Sequence, residues 1–146
     1  MNRTTRLIGF ATLLSFSEPT LAAPIHAVLY KNPSCMCCEG YADYLRTNGF
    51  DVEVKPTHDL AQISLKAGVP AELEGCHTMF IKGYVVDGHV PVDVIRKLLS
   101  EKPAIAGITL PGMPSGSPGM YGTKTEKFTI YAVTKDGKEP TVYATE

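Results

Sequence analysis

Segments with strand-like and helix-like patterns alternate along this 146-residue chain from residue 26 onwards. The first, His26 to Lys31, is a short β-branched and aromatic run, and a helical pattern from about Cys37 to Asn48 follows it. Asp51 to Lys55 then alternates polar and apolar residues with period two, as a half-buried strand does, and Asp59 to Lys66 has a short helical pattern. This order favours a βαβ unit with a right-handed crossover, followed by a second helix.

The next part of the pattern predicts a hairpin and a third helix. Two apolar runs, Thr78 to Ile81 and Tyr84 to Val86, flank the turn-forming pair Lys82-Gly83. Pro91 then opens a helix from Val92 to about Ser100. The predicted order βαβαββα is that of a thioredoxin-like α/β fold, one sheet with helices on both faces.

A second hairpin is predicted near the C-terminus, after a loop at residues 103–122. Phe128 to Thr134 and Thr141 to Ala144 flank the turn pair Asp136-Gly137. The pattern does not indicate which edge of the sheet this appendage extends or covers. Length and composition, 44% hydrophobic and 20% charged residues, fit one globular domain.

The first 23 residues have the pattern of a secretory signal peptide. Two arginines precede an apolar run from Leu7 to about Phe16, and small residues precede a cleavage point near Ala22 or Ala23. The run is shorter than the roughly 20 residues of a transmembrane helix, and Glu18-Pro19 interrupts it. We therefore expect an exported protein without membrane insertion, whose mature domain is residues 24–146; an uncleaved membrane anchor is the alternative.

The charge balance argues against a nucleic-acid partner. The net charge is −1, so the chain lacks the basic excess that phosphate backbones require. The four cysteines are also too few for a small disulfide scaffold. The chemistry of the chain must therefore be sought in individual motifs.

Cysteine is concentrated at the boundary between the first predicted strand and the first predicted helix, in the segment Cys35-Met36-Cys37-Cys38. Cys35 and Cys38 have the C-x-x-C spacing of a thioredoxin-like redox pair, and Cys37 is an additional thiol. The positive end of a helix dipole favours thiolate over thiol, so these sulfurs are expected to be unusually ionised. Adjacent thiolates repel one another unless a cation lies between them, and thiolate-rich sites select Cu(I), zinc or iron–sulfur centres.

A second group of candidate ligands comes from two more distant places in the chain. Cys76 and His77 immediately precede the first strand of the predicted hairpin. In a thioredoxin-like fold that strand starts at the sheet end where the C-x-x-C helix begins. If the turn is at Lys82-Gly83, the second strand returns to the same end and places His89 beside His77. The sequence therefore predicts that all of these thiols and imidazoles converge.

A third candidate group is the loop Pro111 to Met120, which is rich in Gly, Pro and Ser and contains Met113 and Met120. It has neither helical nor strand periodicity, so a core role for its thioethers is hard to argue. Thioethers are soft ligands that suit Cu(I) and not zinc. The loop therefore favours copper as the metal.

Each group also has a purely structural interpretation. The cysteines could form two disulfides in an oxidising compartment, although the adjacent Cys37 and Cys38 are awkward anchors for such a framework. The two histidines could be ordinary buried polar residues, and the two loop methionines could fill gaps. A structural zinc site is disfavoured, because its ligand pairs are usually spaced C-x₂₋₄-C.

Four ordered motifs carry a family resemblance: Cys35-x-Cys37-Cys38 after a strand, Gly75-Cys76-His77-Thr78, the segment Gly83 to Pro91, and the segment Pro111 to Met120. Together they resemble the CopG-type family of bacterial periplasmic proteins associated with copper resistance. The resemblance covers nearly the whole mature chain. It implies a thioredoxin-like fold, a periplasmic location and a role in copper detoxification alongside other copper-handling or export proteins.

The resemblance also implies copper bound through the CxCC cysteines and nearby Cys, His or Met groups, with interconversion of Cu(I) and Cu(II) as an oxidoreductase activity that it leaves open. The predicted copper ligands are Cys35, Cys37, Cys38, Cys76, His77, His89, Met113 and Met120. A multinuclear cluster is one form that such a site could take.

Two functions from different classes remain open at this point. The first is a copper-binding protein whose site passes electrons between thiols and copper. The second is a thiol–disulfide oxidoreductase acting on protein thiols, with Cys35 as the attacking thiol and Cys38 as the resolving thiol. Cys37, Cys76 and the methionine loop favour the first, because extra thiols beside a catalytic pair invite wrong disulfides.

Overall fold

The computed structural model describes residues 23–136 and 138–146, which form one mixed sheet with three α-helices. A 3₁₀ turn at Ala71–Leu73 precedes the third strand. The elements in chain order are β1 (Ile25–Lys31), α1 (Met36–Thr47), β2 (Phe50–Pro56), α2 (Leu60–Lys66), β3 (His77–Ile81), β4 (Tyr84–Gly88), α3 (Val92–Glu101), β5 (Gly107–Leu110), β6 (Thr129–Val133) and β7 (Thr141–Thr145). The predicted βαβαββα order and the C-terminal hairpin are confirmed.

The seven strands lie in the order β2-β1-β3-β4-β5-β6-β7. β1 is parallel to β2 and antiparallel to β3, and β4 is parallel to β5; the remaining neighbours are antiparallel. Lys31 at the end of β1 pairs with His77 at the start of β3, and Thr78 pairs with Asp87 near the end of β4. The end of β1, the start of β3 and the end of β4 therefore share one edge of the sheet.

The β3–β4 turn is the predicted Lys82-Gly83 pair. Ile81 pairs directly with Tyr84, so the loop has only two residues. Both loop residues have positive φ, 48° at Lys82 and 86° at Gly83, as a type I′ turn requires. Because this turn is tight, β4 returns straight to the sheet edge where β3 begins.

Helices cover both faces of the sheet. The buried side of α1, with Tyr41 and Leu45, and the buried side of α3, with Ile95 and Leu98, belong to one apolar core with alternate residues of the central strands. α2 lies on the opposite face, where the Ser64 hydroxyl hydrogen-bonds that of Thr78 at 2.6 Å. The face covered by α1 and α3 therefore holds both the apolar core and the cysteine motif at the start of α1.

One strand was not predicted. β5 lies inside the segment that the sequence analysis assigns to a loop, and all four of its residues are buried. A short apolar run buried on both sides has no alternation, so periodicity does not reveal it. A Cβ at Gly107 would overlap the carbonyl oxygen of Val85, so β5 approaches β4 at a distance that only glycine allows. β5 is also the strand with which the C-terminal hairpin pairs, through β6.

Two predictions fall wholly or partly on residues outside the described range. Residues 1–22, which contain nearly all of the predicted signal peptide, are outside it, as is Gly137 of the predicted β6–β7 turn. Among the described residues, no helix is both long enough and apolar enough to span a bilayer.

Candidate metal centre

The cysteine motif lies where β1 gives way to α1. Cys35 is the residue before the first turn of α1, and no side chain caps the helix there, so the positive end of the helix dipole lies at the cysteine motif. Cys35 and Cys38 form a disulfide, while Cys37 and Cys76 are free. Met36 is 78% exposed and points away from the core.

Cys76 joins the motif from the segment before β3. Its Sγ lies 3.3 Å from the Sγ of Cys38 and 3.8 Å from the Sγ of Cys37. Within the motif, the Sγ atoms of Cys35 and Cys37 are 3.4 Å apart. The structure thus brings four sulfurs from two segments, 38 residues apart in sequence at their closest, into mutual contact.

Both predicted histidines reach the same place. His89 Nε2 lies 3.1 Å from Cys76 Sγ, and His77 Nδ1 lies 3.7 Å from it. The two rings pack against each other with centroids 5.0 Å apart, and each packs on the buried ring of Tyr41. The tight turn between β3 and β4 makes this possible, because it returns His89 to the side of His77.

Burial sets the protonation of these groups in the metal-free protein. Burial, reinforced by the nearby Cys37, raises the pKa of the Cys76 thiol to about 12. Burial lowers the pKa of His77 to about 3, with a further contribution from the ring of His89, and burial lowers the pKa of His89. The centre therefore holds a protonated Cys76 thiol beside neutral imidazoles, and metal binding at Cys76 must release its proton.

Pro118, in the methionine loop, fixes the tautomer of His89. Its carbonyl oxygen accepts a hydrogen bond from His89 Nδ1 at 2.6 Å, which leaves the Nε2 lone pair directed at Cys76. Metal-binding histidines in proteins almost always donate their second N–H in this way. His77 differs, because its Nε2 is buried without a hydrogen-bond partner.

The methionines of this loop are less deeply placed than the cluster. Met113 is 39% exposed, and Met120 is half-buried. The loop is fastened to α1 at Gly119, where an added Cβ would lie 2.5 Å from the backbone nitrogen of Tyr41. The contact of the loop with the cluster that the structure establishes is the carbonyl of Pro118.

A buried carboxyl group supports the segment that carries Cys76. Asp87 on β4 accepts hydrogen bonds from the backbone N–H of Gly75 and, at 2.7 Å, from the hydroxyl of Thr78. Burial raises the pKa of Asp87 to about 7, against these hydrogen bonds. Asp87 was not predicted as a site residue, although its place opposite Thr78 follows from the predicted hairpin register.

The donor atoms fit a soft or borderline metal ion. They form two groups, each with all its donor atoms within 4.8 Å of one another: one is Cys35, Cys37, Cys38 and Cys76, and the other is Cys38, Cys76, His77 and His89. Sulfur and nitrogen ligands at about 2.3 Å and about 2.0 Å from one ion lie about 3.5–3.8 Å apart. The 3.1–3.8 Å separations given above are close to this range, and thiolate and imidazole donors suit copper and zinc. Cys35 and Cys38, bonded at 2.10 Å, become thiolate donors only when their disulfide is reduced.

Comparison with known proteins identifies the family. A family model described as "Protein of unknown function, DUF411" matches residues 73–120, and no functionally curated protein is significantly similar to the chain. Two solved structures of copper resistance protein copG, Form 2 and Form 1, are each 34% identical in sequence, with TM-scores of 0.77 and 0.76. Each alignment covers 84% of this chain and 98% of the other. The chain belongs to the CopG family.

Membership of the CopG family confirms the resemblance inferred from the four motifs and the α/β fold that it implied. The DUF411 match spans Cys76, both histidines and the methionine loop, whereas the CxCC motif lies outside it. The matched structures are of a copper resistance protein. In the described part of this chain, both groups of metal-ligating side chains lie at the CxCC motif, Cys76 and the two histidines.

Proposed function

We propose that this protein is a periplasmic copper-binding protein of copper resistance that holds Cu(I) at the CxCC-centred cluster. The observation that carries the proposal is the contact of four sulfurs from two segments in a CopG-family fold. In this proposal the ligands are the four cysteines, His77 and His89, with Met113 and Met120 closing the site from the loop. The cargo would be passed to other copper-handling or export proteins of the periplasm.

The shared donors support more than one copper ion per chain. Cys38 and Cys76 belong to both groups of donor atoms, which supports a proposal in which their sulfurs bridge ions held in the two groups. The all-sulfur group suits Cu(I), while Cys76 with His77 and His89 resembles the His₂Cys donor set that proteins use for copper electron transfer. A single cluster would therefore offer environments for both oxidation states.

The Cys35–Cys38 pair supports a redox step with copper as the substrate. In the reduced protein, two Cu(II) ions would each take one electron from this pair, giving two Cu(I) ions, one Cys35–Cys38 disulfide and the two thiol protons. The Cys35–Cys38 disulfide is the oxidised form that such a step would give, and it touches both free thiols, Cys37 and Cys76, which with the histidines would hold the Cu(I) in that form. Return to the dithiol requires an external dithiol reductant.

The second candidate is a thiol–disulfide oxidoreductase acting on proteins. The observation that favours it is the arrangement of the pair, with Cys35 partly exposed as an attacking thiol and Cys38 buried as a resolving thiol. Cys76 argues against it, because its sulfur is in contact with Cys38 and would compete for any mixed disulfide. Metal-free insulin reduction at a rate comparable with that of a thioredoxin would favour this candidate.

Competition for Cu(I) against a chromophoric chelator tests the proposed function. Under anaerobic conditions the reduced protein should withdraw copper from the chelator, and Cys76→Ser should lower the amount withdrawn without changing the far-UV circular dichroism. Met36→Leu is the matched control, since this exposed thioether lies inside the motif but outside the cluster. Equal copper uptake by wild type and Cys76→Ser would remove Cys76 from the site.

A further inference from the structure

A buried lysine lies beneath the loop that carries the cysteine motif. Lys31 is the last residue of β1, and its side chain is only 3% exposed. It continues the buried positions of β1 set by Ala27 and Leu29, so it lies on the face covered by α1. Its strand partner is His77, which places the lysine at the sheet edge of the metal centre.

The ammonium group of Lys31 is surrounded by oxygen atoms of the cysteine loop. Lys31 Nζ donates to the carbonyl oxygens of Asn32 at 3.3 Å, Pro33 at 3.2 Å and Cys35 at 3.1 Å. It also forms an ion pair at 3.1 Å with Glu39, in the first turn of α1. Burying an ammonium is costly without such partners, and these partners all belong to the segment that presents the thiols.

We propose that Lys31 is a positioning residue of the copper centre, one that fixes the backbone of Cys35 and supplies a positive charge to the sulfur cluster. The inference rests on the proposed function for its link to copper, but its effect on the disulfide does not need the metal. Each sulfur of the reduced pair that loses its proton or binds a metal adds negative charge where the sequence places several sulfurs together. A cation hydrogen-bonded to the carbonyl of Cys35 stabilises that charge.

Glu39 determines how much of this charge acts on the sulfurs. Its carboxylate is half-exposed and pairs with the ammonium from the solvent side. Replacing Glu39 by glutamine keeps the size of the side chain and leaves the three carbonyl contacts of Lys31 in place. The charge effect therefore makes opposite predictions for the two residues, since removal of Lys31 disfavours the reduced state whereas removal of the Glu39 charge favours it.

The test is the equilibrium of metal-free protein with glutathione, in which the Cys35–Cys38 disulfide and two glutathione thiols exchange with the dithiol and one glutathione disulfide. Lys31→Met should shift this equilibrium about tenfold towards the protein disulfide, equivalent to about 30 mV. Glu39→Gln should shift it the other way, and Lys31→Arg should stay close to wild type. Lys55→Met, at an exposed lysine of β2, is the matched control and should leave the equilibrium unchanged.

Thermal melts identify any variant that fails to fold, and Glu39→Gln and Lys31→Arg keep the proposal testable if Lys31→Met is one of them. Shifts in the same direction for Lys31→Met and Glu39→Gln, or no shift in Glu39→Gln, would overturn the charge role. If the glutathione shifts appear but no variant changes Cu(I) affinity, the link to copper fails while the effect of Lys31 on the disulfide holds. Failure of the wild-type protein to bind Cu(I) would instead contradict the proposed function.

Discussion

His89 donates its Nδ1–H to the carbonyl oxygen of Pro118 at 2.6 Å, and this bond turns its Nε2 towards the sulfur of Cys76, 3.1 Å away. The loop that the sequence singled out for its methionines thus acts on the centre through a proline carbonyl. Since a histidine can ligate only through an unprotonated nitrogen, the bond selects the tautomer in which Nε2 is free to ligate a metal beside Cys76.

Gly119→Ala should loosen this bond. A Cβ at Gly119 would lie 2.5 Å from the backbone nitrogen of Tyr41, so the loop must lift and carry the carbonyl of Pro118 with it. Loss of such an outer-shell partner typically costs about 10–100-fold in metal affinity. Cu(I) affinity from chelator competition checks this, together with the His89 tautomer from ¹⁵N NMR of the metal-free protein.

Gly112→Ala is the control for that experiment. Gly112 lies in the same loop with φ of 77°, similar to the 79° of Gly119, but an added Cβ there would meet nothing within 4 Å. Both substitutions carry the same backbone strain, and only one carries the clash. Equal losses of copper affinity in the two variants would show that strain in the loop, not displacement of Pro118, is responsible.

His77→Gln should weaken Cu(I) binding by a similar factor at pH 7.5 and pH 5. An unperturbed imidazole would protonate and stop ligating below about pH 6.5, but burial lowers the pKa of His77 to about 3. The double variant Met113→Leu/Met120→Leu should also lose affinity equally at both pH values, since thioethers carry no proton. An affinity loss for His77→Gln at pH 7.5 that disappears at pH 5 would contradict the buried, neutral imidazole.

The same lowered pKa predicts acid sensitivity of the metal-free fold. Unfolding restores the ordinary pKa of 6.5, so the unfolded chain binds the His77 proton between pH 6.5 and about 3 and the folded chain does not. Stability from this residue is therefore complete above pH 6.5 and is lost as the pH falls, by about 5 kcal/mol at most. The difference in unfolding free energy between wild type and His77→Gln, from urea titrations, should shrink on acidification.

Asp87 should change the unfolding free energy with pH in the opposite direction to His77. Its pKa is raised from 3.8 to about 7 in the folded chain, so the folded state binds its proton more tightly and stability falls as the pH rises between these values. Asp87→Asn keeps an oxygen acceptor for the Gly75 N–H. It should therefore gain stability relative to wild type between pH 4 and pH 7, and a difference that does not vary with pH would exclude ionisation of Asp87 as the cause.

Sequence patterns were sufficient where the signal is local. The βαβαββα order and the two-residue turn at Lys82-Gly83 follow from short-range periodicity and turn chemistry, and that turn was enough to bring His89 beside His77. β5 was missed because a strand buried on both sides has no alternation. Pro118 was missed as a contact because nothing in a sequence marks a backbone carbonyl as a hydrogen-bond acceptor.

The burial of Lys31 follows from the alternation of inward and outward side chains along β1. Ala27, Leu29 and Lys31 share the inward face of β1, so a lysine at that position, next to the cysteine motif, needs buried partners. The sequence could not supply those partners, since they are carbonyls whose direction depends on how the loop folds.

If the four cysteine sulfurs form the copper site, anaerobic Cu(I) titration of the dithiol and disulfide forms should give different stoichiometries. Metal analysis and native mass spectrometry would count the ions bound to the mature chain. We predict more than one Cu(I) per reduced chain, because the two donor groups share sulfurs, and fewer per chain when Cys35 and Cys38 are oxidised. Equal stoichiometry in both forms, or no Cu(I) bound by the reduced chain, would exclude a copper site formed by the four cysteine sulfurs.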